Sequence, residues 1–211
     1  MFSPFTSYNH LRCRQDLVWD IKRHAFSRIL TEKSELTNQD MLNLEIKNDG
    51  KIFRHRTLRV NYTTYDLQRR SDVINVRTRP DIMVLAPEGD RTHPYWYGRV
   101  IDIFTVPIHY KGTRPIIGER KQDIEMIWVR WFQQDNSHDY QDGWAHLRLP
   151  RLSFIPPEEP TAHSLIAPED VLHACHIIPA FAHGFMDPQP LEDLHATRFL
   201  QRDWNFYYVN M

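Results

Sequence analysis

Two stretches decide how this chain folds: His93-Pro94-Tyr95-Trp96-Tyr97-Gly98-Arg99-Val100-Ile101-Asp102-Ile103-Phe104 and Met126-Ile127-Trp128-Val129-Arg130-Trp131-Phe132. Each is a dense run of aromatic and β-branched residues, the composition of strands that bury a face. They read as neighbouring strands of a small barrel or curled sheet. In the second, alternation puts Ile127, Val129 and Trp131 on one face, which is apolar throughout, and Trp128 and Phe132 on the other. Asp102 and Arg130 are charges inside apolar runs, and a buried charge is costly unless it is paired. They are therefore expected to form a cross-strand ion pair that fixes register, with a ligand contact or an exposed position as the other readings. Neither stretch supplies convergent nucleophiles, bases or metal ligands. A binding or scaffolding module is expected, not an enzyme.

The totals agree with a folded domain. The chain has 211 residues, 41% of them hydrophobic and 12% aromatic, enough for a real core. Its two cysteines, Cys13 and Cys175, stand far apart and belong to no ligand-spaced cluster, so neither a disulfide framework nor a zinc module is expected. No apolar run reaches the roughly 20 residues that span a bilayer, and residues 1–17 lack the apolar core of a secretion signal. An intracellular chain with no membrane partner is the expectation. Net charge is −1, unevenly spread: residues 1–80 hold 15 Lys+Arg against 9 Asp+Glu, and residues 81–211 hold 11 against 18. The basic half is suited to nucleic acid or an acidic partner, or the two halves simply attract each other.

Along the chain, Leu11, Val18, Ile21, Ala25 and Ile29 recur at helical spacing and predict a helix over about 8–30. Residues 31–50 read as a loop with a short helix. Residues 51–65 alternate as one bent strand or two short ones, and Gln68 to Asp72 reads as a solvated connection. Strands are expected at 73–76, 81–86, 96–106, 126–132, 144–149 and 152–155. A turn or two of helix is expected at 168–173, then a strand at 175–178, a short helix at 191–200, and a terminal strand from Phe206. The fold class expected is mainly β with flanking helices, a partly open barrel. Its parts would be a helical segment over 1–50, a β-rich domain over 51–180 and a helix with strand over 181–211.

Three sets of side chains are candidates for function. Tyr95, Tyr97 and Trp128 form an aromatic edge that could cage a methylated lysine through cation–π attraction, although core packing is the commoner fate of aromatics on strands. Arg54, Arg56, Arg59, Arg69 and Arg70 are the residues expected to touch DNA phosphates. Asp102 and Arg130 are the structural pair. His173, Cys175 and His176 do not converge, because in a strand 173 and 175 share a face while 176 points away, so no metal site and no cofactor are expected. A P-loop, a nucleophile elbow, a dinucleotide glycine fingerprint and a zincin motif are all missing from the sequence.

The order Gly98-Arg99-Val100-Ile101-Asp102-Ile103-Phe104, Val129-Arg130-Trp131-Phe132, Leu152-Ser153 and Ile166 to Ile177 resembles the bromo-adjacent-homology (BAH) domain over about residues 80–180. The chain departs from that pattern at His173 and Ala174, where glycine and lysine are usual, and at Gln133-Gln134-Asp135. More of the chain is similar to the C-terminal region of fungal proteins associated with Plavaka-type transposons. Arg54 to Asp66, Asp81 to Val84, His93 to Tyr97, Ile178 to Gly184 and Asp203 to Met211 carry that likeness. Together the resemblances imply a nuclear, non-catalytic chromatin- or protein-interaction module, the tail of a transposon-encoded protein. Its partner would be a histone tail or other chromatin peptide. The alternatives are an accessory DNA-binding module of a transposase, using the basic 54–70 segment, and a purely structural tail.

Overall fold

The structure is a computed structural model that describes residues 11–31, 37–47, 51–87, 93–135, 137, 140, 148–186 and 203–210. In chain order its elements are helices α1 (Leu11–Ile29) and α2 (Asn38–Asn43), then strands β1 (Leu44–Ile46), β2 (Phe53–His55), β3 (Thr57–Thr63), β4 (Arg69–Asn75), β5 (Asp81–Leu85), β6 (Tyr95–Tyr110), β7 (Lys121–Gln134), β8 (Arg151–Phe154), β9 (His163–Ile166), β10 (Val171–Ala174), β11 (His176–Pro179) and β12 (Tyr207–Asn210). The protein is mainly β with flanking helix, and its described strand pairs are antiparallel. Among the described residues no helix is long and apolar enough to cross a membrane.

The chain divides into two compact units, and the division cuts both featured strands. Residues 104–126 join the N-terminal residues through His55, while 56–103 and 127–186 form the second unit with 203–210. The consecutive segments 1–50, 51–180 and 181–211 are therefore not the structural parts. The reason is length: β6 and β7 run to 16 and 14 residues, so the far half of each serves a different core.

In the first unit α1 buries Ile21, Ala25, Phe26 and Ile29, a helical stripe. Phe26 meets Tyr110 edge to face at 5.3 Å. Strand β1 pairs with the end of β6, Leu44 opposite Tyr110. Helix α2 is started by Thr37, whose hydroxyl accepts from the Asp40 amide while the Asp40 carboxylate accepts from the Thr37 amide. Burial alone would raise the Asp40 pKa, but the Thr37 hydrogen bonds and the Arg114 guanidinium, 3.3 Å away, hold it below its ordinary value.

In the second unit the strands run in the order β10-β5-β6-β7-β8-β12-β11, with β9 on β7. The two ends of that order, β10 and β11, are joined by Cys175 alone. Consecutive Cα atoms are about 3.8 Å apart, so the edges of the sheet must approach each other at this corner. The sheet is curled and left open there. One face encloses Tyr97, Phe132, Leu152, Phe154, Cys175, Ile177, Tyr207 and Val209, drawn from strands on both sides of the order. The opposite face carries Ile82, Val84, Val100, Ile127, Val129 and Trp131 and is covered by the β3–β4 hairpin through Leu58, Val60 and Ile74.

Several elements depart from the expected ones. Residues 69–72 are strand, not connection, because they pair residue by residue with 60–63. Residues 168–173 give only one 3-10 turn, Pro168–Asp170, before β10 begins. Strands β1 and β9 were not expected; each is short and has its hydrogen-bonding partner far away in sequence. The expected helix at 191–200 lies outside the described residues, as does most of the expected strand at 144–149.

Gly98 on β6 leaves no room for a side chain against the β7 residues Val129 and Trp131. A Cβ there would lie 2.3 Å from Val129 Cγ1 and 3.0 Å from the Trp131 ring. Gly98→Ala should cost about 1–3 kcal/mol in a urea titration, the range for an overpacked core. An unchanged midpoint would show that Val129 has room to move.

Candidate functional site

The aromatic edge is not an edge. Alternation on β6 turns Tyr95, Tyr97 and Arg99 to the enclosed face, alongside their β5 partners Leu85, Met83 and Asp81. Tyr97 is 1% exposed and belongs to the core, and Tyr95 packs against that same core. Trp128 is half-buried, opposite Leu165 and beside His163 at 6.2 Å between ring centroids. The three do not form an open cage.

What the aromatic rings of this unit do surround is the chain's own arginines. Arg99 donates to Asp81 through Nε at 2.7 Å and Nη2 at 3.2 Å, the forked geometry that suits a guanidinium to a carboxylate. Its Cζ stands 5.2 to 5.5 Å from the ring centres of Phe132, Phe154 and Tyr207. Asp81 is 7% exposed, and burial raises its pKa although Arg99 pulls the other way. Burial opposes the charge on Arg99 as well, but the hydrogen bonds and charge of Asp81 keep its pKa above the ordinary value. Arg130 lies 3.8 Å over Phe154 and donates to Asp203 at 2.6 Å. Arg151 lies 3.9 Å from the Tyr140 ring centre and 4.4 Å from that of Phe206, and it pairs with Asp135.

The expected pairing of Asp102 with Arg130 is thereby corrected. Arg130 is drawn to Asp203 because Phe154, directly across from Phe132 on the neighbouring strand, supplies the platform for its guanidinium. Asp102 accepts from the Ile103 amide at 3.0 Å. No motif marks a partner 73 positions away, so Asp203 was out of reach of strand-pair reasoning. Asp81 was visible as an acid at a strand start, but its partner Arg99 depends on the β5–β6 register.

The arginines of 54–70 are all exposed, yet they do not form one patch. Strand alternation in the β3–β4 hairpin sends Leu58, Val60 and Tyr62 inward and leaves Thr57, Arg59, Asn61 and Thr63 outside. Their partners Val73, Ser71 and Arg69 continue that outer face. Arg59 and Arg69 therefore share it, while Arg70 stands across from Tyr62 on the opposite side. Arg56 precedes the hairpin, and Arg54 lies on β2 in the first unit. The acid within β4, Asp72, is turned away from the outer face: it accepts from the Ala174 amide at 3.2 Å and lies 3.6 Å from His173, whose ring stands on Tyr62 at 4.2 Å.

His173 and Cys175 thus serve different neighbourhoods. Cys175 is buried at the sheet corner, its amide donating to Asp81 at 2.9 Å. Burial, reinforced by the negative charge of Asp81, pushes its thiol up to about 12. In the first unit an open cleft of roughly 530 Å³ is lined by Arg28, Phe53, His55, Thr105, Asp123 and Glu125. Its His55 Nε2 lies 2.7 Å from the Thr105 hydroxyl in water-exposed surroundings. The lining mixes one guanidinium with two carboxylates, so it favours neither sign of ligand. Sequence reading missed it because four separate segments build it.

No family model matches the chain, and no curated protein or solved structure matches it either.

Two outcomes test this description. Arg99→Ala should cost about 3–5 kcal/mol, since it strands a buried carboxylate, whereas Asp81→Leu combined with Arg99→Met should retain most of the stability. Thermal melts of the three proteins decide it, and equal losses in both variants would remove the pair from its central place. Cys175 should resist iodoacetamide at pH 8 in the folded protein and react after denaturation, since only the thiolate is nucleophilic. Rapid native labelling of Cys175, read in a Cys13→Ser background, would contradict the buried corner.

Proposed function

We propose that the chain is a non-catalytic binding module that takes the phosphate backbone of DNA on the outer face of the β3–β4 hairpin. The observation that carries this reading is the composition of that face. Arg59 and Arg69 stand there among Thr57, Asn61, Thr63 and Ser71, and among the described residues of the face there is no acid. Guanidinium groups pair with phosphate oxygens in a fork, and hydroxyl and amide side chains add neutral hydrogen bonds to the backbone. Arg59 and Thr63, the partner of Arg69, are four residues apart, on the order of 13 Å at strand rise, so the two arginines reach separate phosphates. Six arginines against two aspartates between residues 56 and 79 give the segment a positive field even though the whole chain is near neutral.

This is the accessory DNA-binding alternative of the sequence reading. It displaces the histone-peptide reader because Tyr97 is inside the core. The BAH-type resemblance, the transposon association and the nuclear location stay part of the proposal, as the setting in which such a module would work. Binding of a mixed-sequence duplex, followed by fluorescence anisotropy across a salt series, tests it. The wild-type protein should bind with a steep salt dependence. Arg59→Ala with Arg69→Ala should lower the log–log slope by about two and weaken binding uniformly across sequences. Unchanged slope and affinity in that variant would sink the reading.

A further inference from the structure

The hairpin that carries the basic face ends in Thr64-Tyr65-Asp66-Leu67-Gln68, and its tip presents two large apolar side chains on either side of Asp66. Tyr65 is 105% exposed and Leu67 84% exposed, so neither side chain contributes to a core. The tip is nevertheless closed by hydrogen bonds. The Thr64 amide donates to the Gln68 carbonyl at 2.9 Å, the Leu67 amide donates to the Thr64 carbonyl at 2.9 Å, and the Thr64 hydroxyl reaches the Gln68 carbonyl at 3.1 Å. Leu67 sits at φ 60°, a left-handed conformation that suits glycine or asparagine better than a branched side chain. The turn would close more easily with glycine there. Asp66, the acid between the two apolar residues, is tied back by the Thr64 hydroxyl.

We propose that Tyr65 and Leu67 form a wedge that enters a groove of duplex DNA and opens a base step, while Arg59 and Arg69 hold the flanking backbone. It holds only if the outer face of the hairpin binds DNA, as proposed above. Apolar side chains presented between cationic strands are the arrangement by which minor-groove proteins unstack and kink a duplex. A platform for unpaired bases would instead place its aromatics in a groove or across a sheet face. Here they are exposed in the turn that joins two strands. Arg69 stands at the base of the tip and Arg59 four residues back along β3 from its partner Thr63, so the two can hold backbone phosphates at successive distances from the wedge. The step most readily opened is a flexible pyrimidine–purine step such as TA.

The experiment uses the full chain and a duplex of about 30 base pairs with a central TA step, 2-aminopurine beside that step, and donor and acceptor dyes at the ends. Wild-type protein should raise the 2-aminopurine fluorescence and shorten the end-to-end distance. Tyr65→Ala with Leu67→Ala should still bind with an unaltered salt slope but leave the duplex straight and stacked, with affinity about five- to tenfold lower, the order expected for lost stacking. Tyr65→Phe with Leu67→Met should restore bending, which excludes a folding defect. Bending and unstacking that survive in the double alanine variant would overturn the wedge and leave the hairpin reading standing, as would wild-type binding without distortion. Loss of all salt-dependent duplex binding in the wild type would overturn both. Vesicles of phosphatidylserine and phosphatidylcholine complete the comparison: Tyr65- and Leu67-dependent capture by them, with no change in the duplex, would assign the tip to a lipid surface and reject the wedge.

Discussion

Much of the second unit depends on one ion pair. Asp81 and Arg99 are direct cross-strand partners at the start of β5, on the face that the curled sheet encloses. Two charges in such a place are tolerable only if every strong hydrogen-bonding direction is met, since burial works against both. The guanidinium meets its carboxylate through two bonds and is flanked by Phe132, Phe154 and Tyr207, whose π-faces accept a cation. The Asp81 carbonyl accepts the Cys175 amide at the corner where β10 becomes β11. The pair therefore ties three places at once: the β5–β6 register, the ring cluster and the point where the two sheet edges come together.

That arrangement explains the aromatic content better than a ligand cage does. Phe132 stacks on Phe154 at 4.1 Å, and Tyr207 meets both edge to face. Arg130 takes the Phe154 face at closer range than Arg99 does, and its carboxylate comes from Asp203, next to the last strand. Tyr207 in turn accepts from the Trp204 amide. Burial first, and then the Asp203 charge, raise the pKa of its phenol, so it stays protonated and neutral beside Arg99. The cation–π chemistry anticipated for a partner's lysine is present, but it is intramolecular.

Legibility followed the range of the physics. Local signals read well: the α1 stripe of Ile21, Ala25 and Ile29, the strand character of 51–65, expected as one bent strand or two short ones and found as β2 and β3, and the inward set Ile127, Val129 and Trp131. These rest on periodicity, which needs no partner. Alternation alone could not say which face of β6 would be enclosed, because both faces are apolar: Trp96, Gly98 and Val100 meet one cluster and Tyr95 and Tyr97 the other. Tyr97 was therefore read as an outer residue when it is core. The ion pairs failed for a different reason. A charge in a strand announces that it needs a partner, but Asp203 and Asp135 lie in irregular segments whose placement only tertiary structure sets. The basic segment was legible as composition, and its face was not, since Gln68 to Asp72 carries no apolar alternation to mark a strand.

The same logic connects the core to the candidate surface. A two-stranded hairpin is marginal on its own, so β3–β4 keeps its shape only by laying Leu58, Val60 and Ile74 against Val84, Val129 and Trp131 of the sheet. Once the inner face is committed, period-two geometry leaves Arg59, Asn61, Thr63, Arg69 and Ser71 outside with no freedom to exchange sides. Asp72 falls on the inner side of that register, across from Val60, and there it serves the Ala174 amide and His173. Had the register slipped by one residue, the acid would stand among the arginines and the apolar residues would face water. The uniform sign of the outer face is thus a consequence of how the hairpin is packed.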